Sequence, residues 1–440
     1  MKFNTLLRRS FFYSCSSFLS WNEIILARLR PPSLFKEHVE NLTRLGVVTP
    51  VARKSIFEIL VKKFYPQGME KLSLFEYFEE LETEQAYDGY FYSVAQGITI
   101  VILGSLCGLK NVRQIWLWAT NARVREFLKE RFQIERIPCY YWLLCLLKMI
   151  RPASLNKCFA AWVASMLPPS RQVTLAIDGK TIRSTGKMQS YDTALHIISA
   201  QIGELGMSYG QRSAEGKSNE IPAVRELLAE LDIKGCMVVA DALNCQKETA
   251  KSICKGKGDY LLCVKDNQAV LKREIEEYVQ SEELRQKMDT ICQIEKNRGR
   301  VEIRTGYVLT GINWLESGRD WTNLQCIGAI HREFETKQGR SSEWQYYISS
   351  RVLTAEGLLY HARQEWSVEC MHWLLDVHFG EDYCRVANRT IQQNLNMARK
   401  FVLNILRRYK TQSSSTQPLS NIMLQCLLDN SYISEVLGKN

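Results

Sequence analysis

The chain has 440 residues, of which 46% are hydrophobic and 24% charged, so it can bury a sizeable core and is not a disordered protein. Basic residues outnumber acidic ones by 57 to 47, which makes a polyanion such as nucleic acid a reasonable partner. Fourteen cysteines without paired Cys-x-x-Cys spacing argue against a disulfide framework or a zinc site and favour reduced thiols in a cytoplasmic protein.

Residues 1–68 differ from the rest of the chain, with short helical patterns broken at Pro31-Pro32 and Pro66 and no signal-peptide pattern. Met69 opens MEKLSLFEYFEEL, which has the character of a natural start. We therefore interpret residues 1–68 as an atypical N-terminal extension, read in from an upstream start codon.

Residues 69–167 predict a helical domain. Its uncharged stretch Gly89–Leu109 is long enough to span a bilayer, but polar residues such as Ser93 and Gln96 favour a buried helix, and we expect no membrane partner. Between Cys107 and Arg136 seven basic residues stand against three acidic ones. A DNA-binding surface and a solvated helix face explain this excess equally well.

The pattern changes at Val173, where short β-branched runs begin. Strands are predicted at Val173–Ile177, Ala194–Ala200, Met207–Gly210, Cys236–Ala240 and Tyr260–Val264, and helices at Ile221–Leu231, Gln246–Cys254 and from Val270. This order predicts an α/β fold in which residues 168–290 form the first part of a ribonuclease-H-like mixed-sheet core.

Strand-rich sequence then returns in VEIRTGYVL, LQCIGAIHREF and EWQYYISSRV, and predicts a β insertion over residues 291–353. Helical sequence resumes near Thr354 and continues, with an interruption near Gly380, to Lys410. We assign residues 354–411 to the second part of the core and residues 412–440 to a tail.

Asp178 and Asp241 each follow an apolar strand, at the sheet edge where open α/β sheets bind their ligands. If the first and fourth strands are neighbours, the two carboxylates converge and repel each other unless a hard cation neutralises them. Each Asp alone is as readily explained as the cap of a turn.

The helix after Thr354 supplies a third candidate. Leu359, Ala362, Trp366 and Trp373 predict an apolar stripe that faces the core. Glu369 shares this stripe, and a buried carboxylate needs a metal, a cation or a proton, with an Arg salt bridge as the alternative. His372 and Asp376 are candidate supporting groups beside the metal ligands, or simply helix surface.

Two Asp and one Glu suit phosphoryl chemistry with two Mg²⁺ or Mn²⁺ ions. The sequence has no Walker loop, so an ATP-driven motor is not predicted. Further along, Ile391, Leu395, Ala398, Val402 and Ile405 form a helical stripe that leaves Arg399 and Lys400 outside it. These two cations are candidate DNA-phosphate contacts, and a solvated basic face is the alternative.

Five segments, in order, carry a family resemblance: AIDGKTIRSTG, ALHIISAQ, KSNEIPAVRELLAELDIKGCMVVADALNCQKETAK, YLLCVKDNQ and WSVECMHWLLDVHFGED. They resemble the DDE transposases called H-repeat-associated proteins, which belong to bacterial insertion sequences. The resemblance covers about Leu72 to Lys410. It implies a ribonuclease-H-like catalytic domain with a β insertion before the last catalytic residue, and Asp178, Asp241 and Glu369 as the metal-binding triad.

The family pattern also matches Lys217, Ser218 and Asn219, and the segment Gly299-Arg300-x-Glu302. Lys217, Asn219 and Arg300 are thus candidate DNA-phosphate contacts, although Ser218 and Asn219 suit a turn equally well. Lys180 and Arg183, which come just after Asp178, are candidates for the same role. The chain departs from the family at Arg298 and Glu365, where a His is usual, and at Cys370, where an Asn is usual. Ala362, Glu365 and Asp376 stand where the wider superfamily has Tyr, Arg and Lys. Departures of this kind are expected in insertion-sequence copies that have lost activity by mutation.

The sequence therefore predicts a bacterial, cytoplasmic transposase that cuts double-stranded DNA at element ends and transfers the strand to target DNA. A homodimer on DNA is consistent with paired-end chemistry. The alternatives are a DNA-binding relative that has lost catalysis and a ribonuclease-H-like nuclease that only hydrolyses.

Overall fold

The computed structural model describes residues 74–84, 91–167, 172–187, 194–214, 216, 219–297, 300–336 and 339–438. The predicted extension over residues 1–68 lies outside these ranges. After a 3₁₀ turn at Leu74–Glu80, the chain forms five helices: α1 (Val94–Leu106), α2 (Val112–Ala119), α3 (Ala122–Phe132), α4 (Tyr140–Met149) and α5 (Pro152–Ala164). Residues 69–167 were predicted to be helical, and the described part of this region is.

Helix α1 occupies most of the uncharged stretch Gly89–Leu109. It begins with a capping box, in which the side chains of Ser93 and Gln96 each bond to the other residue's backbone N–H. Eleven of its thirteen residues are buried, as expected for a helix in the core of a folded domain. Among the described residues, no helix is both long and apolar enough to cross a membrane.

The centre of the fold is a nine-stranded mixed sheet in the order β3-β2-β1-β4-β5-β9-β8-β7-β6. Its strands are β1 (Thr174–Ile182), β2 (Leu195–Ile202), β3 (Met207–Ala214), β4 (Met237–Ala240), β5 (Asp259–Val264), β6 (Asp289–Asn297), β7 (Arg300–Leu309), β8 (Cys326–Thr336) and β9 (Gly339–Ser349). Strand β1 pairs with β2 antiparallel and with β4 parallel, and β4 pairs with β5 parallel. The first and fourth strands are therefore neighbours, and the ribonuclease-H-like order is confirmed.

The remaining helices follow the sheet strands or end the chain. They are α6 (Glu220–Glu230), α7 (Lys247–Lys255), α8 (Ala269–Gln280), α9 (Glu282–Arg285), α10 (Ala355–Gln364), α11 (Trp366–Phe379), α12 (Arg389–Ser413), α13 (Leu419–Leu428) and α14 (Asn430–Leu437). The predicted single helix after Thr354 is divided, since α10 ends one residue before Glu365 and α11 begins one residue after it.

The β insertion has four strands, one more than the sequence pattern indicated, because β6 was missed. The four strands continue the core sheet, since β9 pairs antiparallel with β5 from Leu261↔Ser349 to Val264↔Tyr346. Edge strand β6 is mostly polar and half-exposed, so it lacks the apolar run that marks a buried strand.

Helix α12 joins the helical segment to the sheet. The ring of Phe401 packs against Phe159 and Trp162, with centroids 4.5 Å and 5.4 Å away. On the sheet side, the Asn404 amide accepts a hydrogen bond from Ser208 N–H and donates one to Ser208 C=O, at 2.9 Å and 2.8 Å. Because α12 packs against both the helical segment and the sheet, the helices and the sheet share one hydrophobic core.

Candidate active site

Asp178 and Asp241 lie side by side where the parallel pairing of two strands ends. Ile177 of β1 and Ala240 of β4 are the last pair between these strands, and each aspartate is the next residue of the chain. Asp241 follows the end of β4, but β1 continues past Asp178 to Ile182 because it still pairs with β2, so the predicted strand end at Asp178 is wrong. Asp241 also caps the turn that follows it, because its Oδ1 accepts a hydrogen bond from the backbone N–H of Asn244 at 3.3 Å, and a second one from Asn244 Nδ2 at 2.9 Å. The turn-cap interpretation thus holds for Asp241 and is compatible with its place beside Asp178.

A buried hydrogen-bonded chain leads away from Asp241. Asn244 Nδ2 donates to Glu220 Oε1 at 3.2 Å, and Glu220 Oε2 lies 3.0 Å from His196 Nε2. His196 Nδ1 in turn lies 2.9 Å from Thr181 Oγ1 on β1. This chain connects α6, β2 and β1 and fixes the amide that orients the Asp241 carboxylate.

Helix α11 presents a polar stripe to the two aspartates. His372 Nε2 is 3.7 Å from Asp178 Oδ2. Glu365 and Glu369 precede His372 by seven and three residues, and Asp376 follows it by four, so all three lie on the same side of the helix. The predicted core-facing stripe is wrong in one respect: Trp366, Glu369 and Trp373 do share one side of α11, but all three are exposed. Val368, Met371, Leu375 and Phe379 form the buried side instead.

Negative charge accumulates where this stripe meets the strands. The pKa of Asp178 is raised to about 6, first by burial and then by the nearby carboxylates of Asp241, Glu220 and Glu369. A hydrogen bond from the backbone of Gly179 opposes this shift. Burial, and then Asp241, Asp178 and Glu369, raise the pKa of Glu365 to about 7, although Lys265 opposes the shift. The carboxylates of Asp241 and Glu369 therefore both act on Asp178 and Glu365 and destabilise the ionised forms of these two side chains.

A divalent cation fits the chemistry of these side chains. Hard cations prefer oxygen ligands, and a bound cation would relieve the repulsion that raises the pKa of Asp178. His372 is buried, and neither of its ring nitrogens has a hydrogen-bond partner. Across the part of the chain that the structure describes, no three acidic, His or Cys side chains already stand at metal-binding spacing.

Lys180 is bound by carboxylates. Its ammonium lies 2.5 Å from Asp376 Oδ2 and 3.0 Å from Glu381 Oε2, and Glu381 is also hydrogen-bonded by Asn396. Asp376 thus anchors Lys180 to the helix that carries Glu369. Arg183 is exposed and lines a cleft of about 350 Å³ beside this anchor.

The candidate phosphate contacts are scattered. Asn219 is exposed at the start of α6, and Arg300 begins β7, while Lys217 lies outside the described residues. Arg399 and Lys400 are only 5% and 1% exposed, since α12 is covered on all sides where they lie. Lys400 donates to Ser199 Oγ at 2.7 Å, and Arg399 donates to the backbone of Lys110, so neither is placed to meet DNA phosphate in this structure.

Two family models cover the described core. The one described as "Transposase DDE domain" matches residues 169–405, and the one described as DDE_Tnp_1-associated matches residues 75–163. The chain belongs to the DDE transposase family. Similar proteins include two Escherichia coli K12 proteins named H repeat-associated putative transposases, YhhI and YbfD. YhhI is 34% identical over 71% of this chain and 84% of its own length, and YbfD is 37% identical over 41% and 72%.

Among solved structures, the piggyBac transposase synaptic complex with hairpin DNA aligns with 11% identity and a TM-score of 0.36. The alignment covers 82% of this transposase and 76% of that chain.

Replacing Glu365 with Gln tests the charge cluster. Because the folded-state pKa of Glu365 is raised to about 7, ionisation of this side chain lowers the free energy of unfolding. This loss is absent below pH 4.5 and complete above pH 7. Without divalent metal, Glu365→Gln should stabilise the protein at pH 8 by about 2 kcal/mol and by far less at pH 5. Urea unfolding at both pH values measures this, with exposed Glu356→Gln as the control. An equal gain at both pH values contradicts the prediction.

Sequence reasoning treated Glu365 as a family departure and did not identify Asn244, Glu220 or His196. The spacing of Glu365, Glu369, His372 and Asp376 was the available signal for Glu365, because these positions fall on one side of a helix. Nothing in the sequence links Asn244 to Glu220, since their contact depends on how α6 packs against the turn after β4.

Proposed function

We propose that this DDE transposase cuts DNA at the ends of its insertion sequence and joins the freed 3′-hydroxyl to target DNA, with Asp178, Asp241 and Glu369 as metal ligands. The observation that carries the proposal is the parallel pairing of β1 with β4, which places Asp178 and Asp241 together opposite the helix of Glu369. Membership of the DDE family supports the same triad.

Two Mg²⁺ or Mn²⁺ ions held by these carboxylates would activate the attacking oxygen and stabilise the leaving oxygen of an in-line displacement. The chain's own groups hold the ligands in place. The pKa of His372 is lowered well below its usual range, first by burial and then by the nearby ammonium groups of Lys400 and Lys180. A neutral imidazole therefore faces Asp178. Asn244 orients Asp241 through its amide, and Lys180 ties α11 to β1 through Asp376.

DNA binding is proposed for the exposed basic surface of the helical segment. Seven cations lie exposed between α1 and α4: Lys110, Arg113, Arg123, Arg125, Lys129, Arg131 and Arg136. Contacts of this kind with phosphate are independent of sequence and weaken steeply with salt. Arg183 and Asn219, which are exposed nearer the carboxylates, are proposed to hold the strand that is cut.

Cleavage and joining of a duplex that carries the flanking element ends test the proposed function. Wild type is expected to cut and join in Mg²⁺ or Mn²⁺, and Glu369→Gln to do neither, while the matched surface change Glu356→Gln keeps wild-type activity. Products that are cut but never joined indicate a hydrolytic nuclease. Binding without cutting by wild type in any metal indicates a DNA binder, and equal cutting by wild type and Glu369→Gln removes Glu369 from the site.

A further inference from the structure

Lys265 is an exposed residue directly after β5, the strand next to the one that ends before Asp241. Strands β4 and β5 are parallel, and their last pair is Ala240↔Leu262. Asp241 follows this pair at once, whereas β5 continues to Val264 before Lys265 begins the next turn. At about 3.3 Å per residue, the backbone of Lys265 lies roughly 7 Å beyond that of Asp241 along the strand direction. A lysine side chain is long enough to span this offset.

The turn that follows Lys265 is tied to the turn that follows Asp241. Asn267 Nδ2 donates a hydrogen bond to the C=O of Ala242, the first residue of the turn that Asp241 caps, at 2.7 Å. The neighbouring Gln268 side chain donates a second one to the end of the same turn at 3.0 Å. These bonds fix the backbone of Lys265 relative to Asp241, as is required of two groups that bind one substrate together.

Lys265 acts on the neighbouring carboxylates without forming an ion pair. Burial, and then Asp241, raise the pKa of Glu365 to about 7, and the positive charge of Lys265 opposes this rise. Lys272, on the helix that follows, lies 2.8 Å from Asp266, whereas no described carboxylate lies within ion-pair distance of the Lys265 ammonium. The ammonium therefore keeps its hydrogen-bond donors for a ligand.

Two other lysines near these carboxylates are already engaged. Lys180 is bound by two carboxylates, and the ammonium of Lys400, which is 1% exposed, donates to Ser199 Oγ. Either ammonium would have to leave a buried partner before it could bind a phosphate, which is costly. Lys265 is exposed and can bind an anion without such a loss.

We propose that Lys265 binds a non-bridging oxygen of the phosphate that is cut, at the end of β5 beside Asp241. This inference rests on the proposed function. A hydrogen bond from an ammonium to a phosphate oxygen is charge-assisted and therefore stronger than one between neutral groups. A cation fixed at these oxygens stabilises the negative charge of the phosphate during the in-line displacement. It also offsets the repulsion between the incoming phosphate and the acidic side chains of the site.

The test is a cycle of protein and DNA changes that reports contact with one phosphate. Wild type in Mg²⁺ or Mn²⁺ first locates the cut phosphate on the duplex carrying the flanking element ends. Duplexes with a neutral methylphosphonate at that phosphate, or at one of its neighbours on the same strand, are then compared with the all-phosphate duplex. Affinities are measured without divalent metal, so that no probe is cut.

At the cut phosphate, the methylphosphonate should change the affinity of wild type and of Lys265→Gln by factors that differ at least about fivefold, with the larger loss in wild type. This is the scale of one hydrogen bond to a charged group. Repulsion from the acidic side chains is common to both proteins, so it cancels in the comparison. Lys265→Arg should keep most of the wild-type loss, because it keeps the charge.

Lys255→Gln is the matched control and should behave as wild type does. Lys255 is also exposed, but it ends α7 and precedes β5, at the opposite end of that strand. Because Lys265 is exposed, Lys265→Gln should fold normally, and urea unfolding checks this.

Equal factors for wild type and Lys265→Gln at the cut phosphate overturn the contact, and the proposed function survives if wild type still cuts and joins. A difference confined to a neighbouring phosphate also overturns it, and shows that Lys265 holds the flanking strand instead. Absence of any cut by wild type removes the proposed function, and with it the phosphate that Lys265 is inferred to bind.

Discussion

Asp178→Asn is expected to reduce DNA cleavage by at least about 10³-fold, the scale seen when one member of a cooperating catalytic set is removed. The amide keeps the shape of the side chain but withdraws the charge that a cation requires. Because Asp178 lies next to Asp241 on paired strands, the same loss is expected for Asp241→Asn. Cleavage kinetics on duplex ends at saturating metal measure both variants.

The stability of Asp178→Asn should change in the opposite direction. Burial raises the pKa of Asp178 to about 6, so ionisation of this side chain lowers the free energy of unfolding. The loss is complete above pH 6 and absent below about pH 4. At pH 8 without metal, the variant should therefore be more stable than wild type by about 1 kcal/mol, after discounting for solvent screening. The control is Asp320→Asn, at an exposed ion pair with Lys247, which should change neither the cleavage rate nor the stability. Cleavage by Asp178→Asn within tenfold of wild type contradicts the site.

Gly179→Ala is expected to destabilise the protein by roughly 3 kcal/mol, the scale for disrupting a buried hydrogen-bonded pair. A Cβ on Gly179 would lie 2.6 Å from His196 Nε2 and 2.7 Å from Glu220 Oε2. Neither atom can move freely, because His196 is also bonded to Thr181 and Glu220 is also bonded to Asn244. Urea unfolding measures the loss.

The matched control for Gly179→Ala is Gly311→Ala, since a Cβ at Gly311 meets no atom within 4 Å. This control should stay within about 0.5 kcal/mol of wild type. The Gly179 variant should also cut DNA more slowly than its folded fraction accounts for, because a displaced Glu220 frees the amide that orients Asp241. A loss below about 1 kcal/mol would mean that the pair adjusts without breaking.

Local sequence patterns were sufficient to predict features that depend on a single strand or helix. The apolar runs before Asp178 and Asp241 are strands, although β1 continues past Asp178 to Ile182, and the order of the strands along the chain was enough to predict that they are neighbours. The stripe from Ile391 to Ile405 is buried as expected. These features depend on the alternation and periodicity of neighbouring residues, which a sequence displays directly.

Features that depend on what surrounds an element could not be predicted. Arg399 and Lys400 lie outside the apolar stripe of α12, yet both are buried because α12 is packed on every side. Burial lowers the pKa of Lys400 to about 7, although Glu381 opposes the shift. Trp366 and Trp373 show the reverse, since aromatic side chains suggested a core face and the structure exposes them. Periodicity identifies the sides of a helix, whereas tertiary packing decides which side is covered.

The continuity of the sheet has a consequence for synthesis on the ribosome. Strands β1 to β5 are complete once Val264 has been made, but the outer edge of β5 is covered only when Tyr346–Ser349 has emerged to pair with it. Until then the growing chain presents a buried-type apolar strand as an open edge, the kind of edge on which other chains aggregate. A product that stops within the insertion therefore carries both aspartates and an uncovered edge, and we expect it to be degraded or to aggregate rather than persist as a competing DNA binder.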